Sequence, residues 1–197
     1  MAKIGTKAAF PGFIPPALAT TQASPPEGAA WVHELKLDGY RLQGHIQSGQ
    51  VQLFTRKGLD WTARFPSLTG ALQIIPVQSA IVDSEVAVHD ATGVPRPAAL
   101  QEGLSLGRGP FVYYAFDLLY LDDRDFRDLP LLERKARLAE LVAGPDLVKY
   151  SEHFEDGRSL WRLACSIGAE GVMSKRRDDQ HRHSLTVSPM LHRAVLG

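Results

Sequence analysis

Two alternating runs of residues in this sequence face each other across a two-residue turn. RLQGHIQ and VQLFTRK alternate apolar and polar residues, and only Ser48 and Gly49 separate them. This pattern is typical of an antiparallel pair of strands. A third alternating run, WVHELKLD, precedes the pair and begins at Trp31. Any fold for this chain therefore has to include antiparallel pairing near its start.

The remaining regular segments extend this pattern to a mixed fold. SAIVDSEVAVHD and PFVYYAFDLLYLD are strand-like, and the second is dense enough in aromatic and branched residues to be central. PLLERKARLAELVAG, bounded by Pro130 and Gly144, and DGRSLWRLACSIG have helical spacing, and EGVMSKR returns to strand. The sequence predicts an α/β (α+β) class with antiparallel-rich mixed sheets and flanking helices, and not a doubly wound parallel sheet.

Composition divides the chain into three segments. Residues 1–30 are rich in Pro, Ala and Gly, which predicts an extended lead-in rather than a packed element. Residues 31–178 contain all of the predicted strands and helices. Residues 179–197 are polar with a weak apolar pattern and form a divergent C-terminal tail.

Charge and cysteine usage restrict the class of protein. Lys plus Arg and Asp plus Glu number 22 each, so the net charge is zero and a nucleic-acid site would have to be a local patch. The single Cys165 excludes an internal disulfide. No apolar run approaches the roughly 20 residues that a membrane span needs. We therefore expect a cytoplasmic protein with no membrane partner.

Lys36 stands between two acids, Glu34 and Asp38, in the run HELKLDGYR. Because side chains alternate across a strand, we expect all three on one face. One interpretation is a solvated salt-bridge face, which contributes only about 0–1 kcal/mol. The other is a nucleophilic lysine. The acids would keep such a lysine protonated unless they are engaged elsewhere, or unless bound metal and phosphates change the local field.

The run HELKLDGYR resembles the lysine motif K-x-D-G-x-R of the covalent nucleotidyltransferases, which comprise ATP-dependent DNA ligases, RNA ligases and mRNA capping enzymes. FTRKGLDWTARFP, VYYAFDLLYLD, DLPLLERK, YSEHF and EGVMSKR are similar to the ligase domain of bacterial nonhomologous-end-joining DNA ligases. The resemblance covers about residues 13–178, and the order of its blocks makes chance an improbable explanation. It implies the ATP-grasp-like nucleotidyltransferase domain of DNA ligases.

The resemblance also implies a reaction and its partners. The Lys36 amine would attack the α-phosphorus of ATP and expel pyrophosphate, and the AMP would then pass to a 5′-phosphate at a nick. Mg²⁺ or Mn²⁺ is the implied metal, nicked or broken duplex DNA is the implied substrate, and end-joining proteins are candidate partners. Two alternatives stay open: an RNA ligase or capping-type enzyme, and a non-catalytic remnant that binds nucleotide or DNA.

Further site residues follow from the same resemblance. The implied nucleotide contacts are Glu34 beside the adenine, Leu35 next to it in sequence, Phe116 stacked on the adenine, Arg41 at ribose or phosphate, Glu85 at the ribose hydroxyls with Asp83 in support, and Lys175 at phosphate or DNA. The implied metal ligands are Glu170 and Asp38, and a local basic patch for DNA consists of Arg56, Lys57 and Arg64.

Two of these assignments compete with simpler explanations. Phe116 is as well suited to core packing as to stacking on a base. Lys175 follows Glu170 by five positions, so a regular strand would direct the two side chains to opposite faces. We therefore rank Lys175 below the other contacts.

The family pattern is incomplete after EGVMSKR. A Trp and a K-x-K pair normally follow that block, but RRDDQHRHSLTVSPMLHRAVLG has neither Trp nor lysine. Arg182, His183, His192 and Arg193 supply cations at a different spacing. No segment corresponds to the OB-fold that follows this domain in the ligases. We therefore expect self-adenylylation to be impaired.

Overall fold

The computed structural model describes residues 4–91, 94 and 96–181, and the backbone of residues 183–187. The strands are β1 (Thr6–Lys7), β2 (Leu18–Thr21), β3 (Trp31–Lys36), β4 (Tyr40–Gln47), β5 (Gln50–Thr55), β6 (Ser79–Ala87), β7 (Val112–Leu121), β8 (Arg124–Asp125), β9 (Val148–Tyr150), β10 (Gly171–Arg176) and β11 (His183–Val187). The helices are α1 (Pro66–Gln73), α2 (Pro97–Leu106), α3 (Leu131–Leu141) and α4 (Gly157–Ile167), with a 3₁₀ turn at Thr62–Arg64.

Local chemistry fixes the ends of the two predicted helices. In α4 the Asp156 carboxylate accepts a hydrogen bond from the Ser159 amide at 2.9 Å, and Gly168 ends the helix with a φ of 70°. Helix α3 follows Pro130 directly and ends at Leu141, before the predicted stop at Gly144. Both helices are therefore confirmed.

The larger sheet has the order β1-β8-β7-β6-β4-β5, and β9 also pairs with β7. Strands β4 and β5 are antiparallel, and they turn at Ser48 and Gly49, whose φ angles of 50° and 77° suit a tight hairpin. Strand β7 has neighbours on both sides, which confirms its central position. α1 and α3 cover this sheet, and Leu42, Leu72 and Leu138 belong to the buried cluster.

The smaller sheet has the order β2-β11-β10-β3. β3 and β10 are antiparallel, so Lys36 lies opposite Gly171 although the two are far apart in sequence. In the described residues, parallel pairing occurs between β7 and β9 and between β2 and β11. The predicted mixed, antiparallel-rich class is therefore confirmed.

The lead-in is extended, but it is also packed, which the sequence did not predict. Ile14 is only 4% exposed, and both its amide and its carbonyl bond the Gln43 side chain at 2.9 Å. The Gln43 amide thus replaces a neighbouring strand for this segment. Farther along, β2 pairs with β11, a strand within the predicted tail.

No described helix is both long and apolar enough to cross a membrane.

Candidate functional site

A pocket of about 950 Å³ opens between the two sheets. Strands of the larger sheet contribute one wall, and β2, β3 and β10 contribute the other. The residues predicted to contact nucleotide all line it together with the predicted nucleophile: Glu34, Leu35, Lys36, Arg41, Glu85, Phe116 and Lys175. The fold therefore brings together residues that come from five separate strands.

Lys36 is the last residue of β3, and its ammonium pairs with the carboxylate of Glu170. Their side chains are 26% and 32% exposed, so water reaches the pair. Contrary to the prediction, Asp38 does not share a strand face with Lys36, because β3 ends at Lys36. Asp38 lies in the exposed bend before β4 and is not among the described residues that line the pocket.

Glu34 is not the ion partner of Lys36. Its carboxylate is buried, with Oε1 2.9 Å from Lys135 Nζ and Oε2 2.8 Å from Lys175 Nζ. Burial alone would raise the pKa of Glu34, but the two lysines outweigh it and hold the pKa below its ordinary value. The acid on this side of the predicted nucleophile Lys36 is therefore engaged elsewhere.

Phe116 and Lys175 lie together above this carboxylate. Lys175 Nζ is 4.6 Å from the centre of the Phe116 ring, and burial lowers the pKa of Lys175 despite the attraction of Glu34. Strand β7 has an irregular register against β6 at Phe116, since Asp83 faces Asp117 and Ser84 faces Ala115. Such bulges redirect a side chain, here toward the pocket.

The expectation that Lys175 and Glu170 point to opposite faces stays a prediction. Strand β10 begins at Gly171, so Glu170 precedes it and the alternation of a strand does not relate the two side chains. Lys175 lines the pocket beside Met173, two positions before it.

Arg41 is held by three groups of the protein. Its guanidinium donates to both oxygens of Asp83, at 3.1 and 2.6 Å, and to the Ala17 carbonyl at 2.9 Å. It also lies 5.3 Å from the centre of the Phe116 ring. Asp83 thus supports the pocket through Arg41, and the packed lead-in contributes to the same support.

Glu85 faces Arg41 across β4 and β6. Burial, together with the charges of Glu170 and Asp83, raises the pKa of Glu85 to about 8, although Lys36 and Arg41 oppose the shift. An acid in this state is protonated in part at neutral pH. A cation placed near Glu85 and Glu170 would restore its charge.

Comparison with known proteins decides the family. The profile described as "ATP dependent DNA ligase domain" matches residues 16–190. The chain belongs to this family of ligase domains. The match includes part of the lead-in and part of the tail.

Named relatives agree with this membership. The chain is 44% identical over 184 residues to the multifunctional non-homologous end joining protein LigD of Pseudomonas aeruginosa, covering 91% of this chain and 22% of the relative. It is 37% identical over 165 residues to a probable DNA ligase of Streptomyces coelicolor, covering 77% and 32%. The chain therefore spans between about a fifth and a third of the length of these relatives.

A solved relative has the same fold. The structure of a mycobacterial DNA ligase D complexed with ATP and MES superimposes with a TM-score of 0.69 at 29% identity, covering 87% of this chain and 60% of that one. The ligase domain of Mycobacterium tuberculosis LigD gives 0.66 at 31% identity, covering 86% and 58%. The predicted nucleotidyltransferase fold is confirmed.

Among the described residues, no three His, Cys, Asp or Glu side chains cluster to hold an ion. Magnesium in nucleotide enzymes is usually held by one or two carboxylates together with phosphates. The charge of Glu170 contributes to the raised pKa of Glu85, and these two carboxylates would supply that number of protein ligands.

The predicted DNA patch lies at the rim of the ligase pocket. Arg56 and Lys57 are exposed and line the pocket, and Arg64 stacks on the Trp61 ring at 4.8 Å. None of the three cations pairs with a carboxylate in the part of the chain that the structure describes. They are free to meet phosphates, but the role on DNA stays a prediction.

Lys135, within the block DLPLLERK, also belongs to the site, although it is not among the predicted site residues. It is fully buried, pairs with Glu34 and donates to the Ser151 carbonyl at 2.9 Å. A signal was present, because Lys135 follows Leu131 by four positions and precedes Leu138 by three, within the apolar stripe of α3. The side chains of Arg182, His183, His192 and Arg193 lie outside the described residues.

Proposed function

We propose that this chain is the adenylation domain of an ATP-dependent DNA ligase. In the first step Lys36 Nζ forms a bond to the α-phosphorus of ATP, and the bond from that phosphorus to the bridging oxygen of pyrophosphate breaks. The lysine proton leaves to solvent or to a nearby base. The AMP then passes from Lys36 to the 5′-phosphate at a break in duplex DNA.

One observation carries the proposal. A lysine at a half-exposed strand end shares a nucleotide-sized pocket with an aromatic ring, a buried carboxylate and two cations, which are Phe116, Glu34, Arg41 and Lys175. Each feature suits one part of ATP: a ring for the base, an acceptor for its amino group and cations for the phosphates. Family membership supports the same assignment.

Lys36 must lose a proton before it can attack, and in the structure its ammonium is paired with Glu170. Bound Mg²⁺ or Mn²⁺ would neutralise charge on the phosphoryl oxygens and give Glu170 a different partner. We propose Glu85, rather than Asp38, as the carboxylate that accompanies Glu170 at the metal, because the two acids already influence each other. Asp38 has no described contact that supports this role.

Duplex DNA is the proposed acceptor of the AMP. The exposed cations Arg56 and Lys57 line the pocket, Arg64 lies on the pocket-lining Trp61, and the three could hold the phosphates on either side of a break. Named relatives include DNA ligases and end-joining proteins, which favours DNA over RNA. Partner proteins in end joining and a cytoplasmic location stay predictions.

Incubation with α-labelled ATP and Mg²⁺ or Mn²⁺ tests the first step. We expect label that stays on the denatured protein in alkali and is released by hot acid, as a bond between phosphorus and the lysine nitrogen requires, and no label on Lys36→Ala. The exposed Lys149 is a matched control, since Lys149→Ala removes a lysine that lies outside the pocket lining and should leave the label unchanged. A chain that stays unlabelled at every metal concentration contradicts the enzymatic proposal.

Pre-adenylylated nicked duplexes test the later step, because they bypass the reaction with ATP. Sealing of a nicked DNA duplex, but not of a matched nicked RNA duplex, supports the DNA assignment. Equal sealing of both would favour the RNA ligase alternative.

A further inference from the structure

Lys135 is a charged side chain that α3 buries, as it does its neighbour Arg134. It is 0% exposed and stands between Leu131 and Leu138 on the inner face of the helix. An unpaired buried ammonium is strongly destabilising, so such a residue persists only where its partners are well placed. What Lys135 touches therefore indicates its function.

The ammonium of Lys135 joins three separate elements. It pairs with Glu34 of β3 at 2.9 Å, donates to the carbonyl of Ser151 after β9 at 2.9 Å, and lies 3.5 Å from the Phe116 carbonyl of β7. It also faces the Tyr150 ring at 4.6 Å. Glu34, Ser151 and Phe116 all line the pocket, whereas Lys135 is not among the described residues that line it.

The Glu34 carboxylate depends on both of its lysines. Lys175 binds the other oxygen at 2.8 Å, but Lys175 also lies over the Phe116 ring and belongs to the pocket wall. Lys135 is the partner of Glu34 that is not among the described pocket-lining residues. Its charge helps to hold the pKa of Glu34 below its ordinary value.

An ionised carboxylate only accepts hydrogen bonds. Adenine presents a 6-amino donor where guanine presents an acceptor oxygen, so a fixed acceptor at the end of the pocket distinguishes these bases. Sites built around such a hydrogen bond discriminate strongly, because the wrong ligand leaves a buried group unpaired.

We propose that Lys135 is a positioning residue for the base end of the pocket, where it fixes Glu34 as the acceptor that selects a purine with a 6-amino group. This inference rests on the proposed function, since it assigns ATP to the pocket. Lys135 acts through Glu34 and does not touch the nucleotide.

Equilibrium binding of two nucleotides tests the inference without requiring catalysis. The probes are ATP and the purine riboside triphosphate that lacks the 6-amino group. We expect the unaltered chain to prefer ATP, and Lys135→Met to reduce that preference about tenfold by weakening ATP binding alone. Lys135→Arg, which keeps the cation, should restore part of the preference. A merely structural role would weaken both nucleotides equally.

Leu138→Ala is the matched control for lost packing in α3, because Leu138 is equally buried one turn along the helix. It should lower the unfolding midpoint and leave the preference unchanged. An unchanged preference in folded Lys135→Met overturns the inference while leaving the proposed function in place. Absence of ATP binding by the unaltered chain overturns both.

A double-mutant cycle covers the case in which Lys135→Met does not fold. Glu34→Gln neutralises the partner, so the double variant Glu34→Gln/Lys135→Met avoids an unpaired buried charge. If Lys135 acts through Glu34, the double variant has the same preference as Glu34→Gln alone. A further loss of preference in the double variant contradicts the inference.

Discussion

Each end of the pocket contains a lysine–glutamate ion pair, but the two ends differ greatly in how deeply these side chains are buried. At one end, the Lys36 and Glu170 side chains are 26% and 32% exposed. At the other, Glu34 is 4% exposed and its partners Lys135 and Lys175 are 0% and 11% exposed. Water can replace either partner at the exposed end, whereas the buried end has no such substitute. The exposed pair can therefore exchange partners during a reaction, and the buried group serves as a fixed frame.

Removal of Glu34 should have the largest effect on stability. Glu34→Ala leaves the ammonium groups of Lys135 and Lys175 buried without their shared carboxylate, which we expect to cost about 3–5 kcal/mol in the free energy of unfolding. Urea denaturation measures the loss. The exposed Glu152 provides the control, since Glu152→Ala makes the same chemical change and should cost less than about 0.5 kcal/mol. Similar losses in the two variants would contradict the contrast between the ends.

Glu85 should make stability depend on pH, with the next largest effect. Its pKa is raised from 4.5 to about 8 in the folded protein, mainly by burial, so the native state binds the proton more tightly than the unfolded chain. The resulting stability is fully present below about pH 4.5 and is lost as pH rises through about 8. The full shift would correspond to about 5 kcal/mol, and we expect about 2 kcal/mol because solvent screens part of it.

Urea titrations between these pH limits measure the Glu85 contribution. Glu85→Gln keeps the shape and removes the titration, so its stability should lack this decline. Parallel profiles for the two proteins would show that Glu85 titrates normally.

Phe116 should matter for binding more than for folding. Phe116→Leu keeps an apolar side chain but removes the flat ring, and we expect ATP binding to weaken by about 1–2 kcal/mol. Phe54→Leu is the control, because Phe54 is also half-buried but lies outside the described pocket lining. Calorimetric titration separates the two variants. If Phe116→Leu and the unaltered chain bind ATP with equal affinity, Phe116 contributes to packing and not to nucleotide binding.

The sequence predicts the strands and the site residues much better than it predicts their partners. Alternation identifies β3, and the motif identifies Lys36, but neither shows that the strand ends there and leaves Asp38 in a bend. The pairing of Lys36 with Glu170 depends on two strands from opposite halves of the chain lying side by side. Partners of this kind are set by the sheet order, which local patterns do not specify.

The burial of Lys135 is another property that the local sequence does not specify. Its neighbours in α3 predict a helix correctly, yet a lysine on a helix is usually exposed. Whether such a side chain is buried depends on an acceptor elsewhere, here Glu34 and the Ser151 carbonyl. The packing of the lead-in likewise depends on a partner that is distant in sequence, because the amide and the carbonyl of Ile14 both bond the Gln43 side chain.

Glu170 should have the smallest effect on stability, although it contacts the proposed nucleophile Lys36. Its pair with Lys36 is part-exposed, so we expect Glu170→Gln to change the free energy of unfolding by less than about 1 kcal/mol. The same variant removes a charge that raises the pKa of Glu85, so the midpoint of the pH-dependent decline should move to lower pH. Glu155→Gln, at another part-exposed pair, should leave that midpoint unchanged. A large loss of stability in Glu170→Gln would mean that the exposed end is as rigidly built as the buried end. An unchanged midpoint would mean that the charge of Glu170 does not affect the pKa of Glu85.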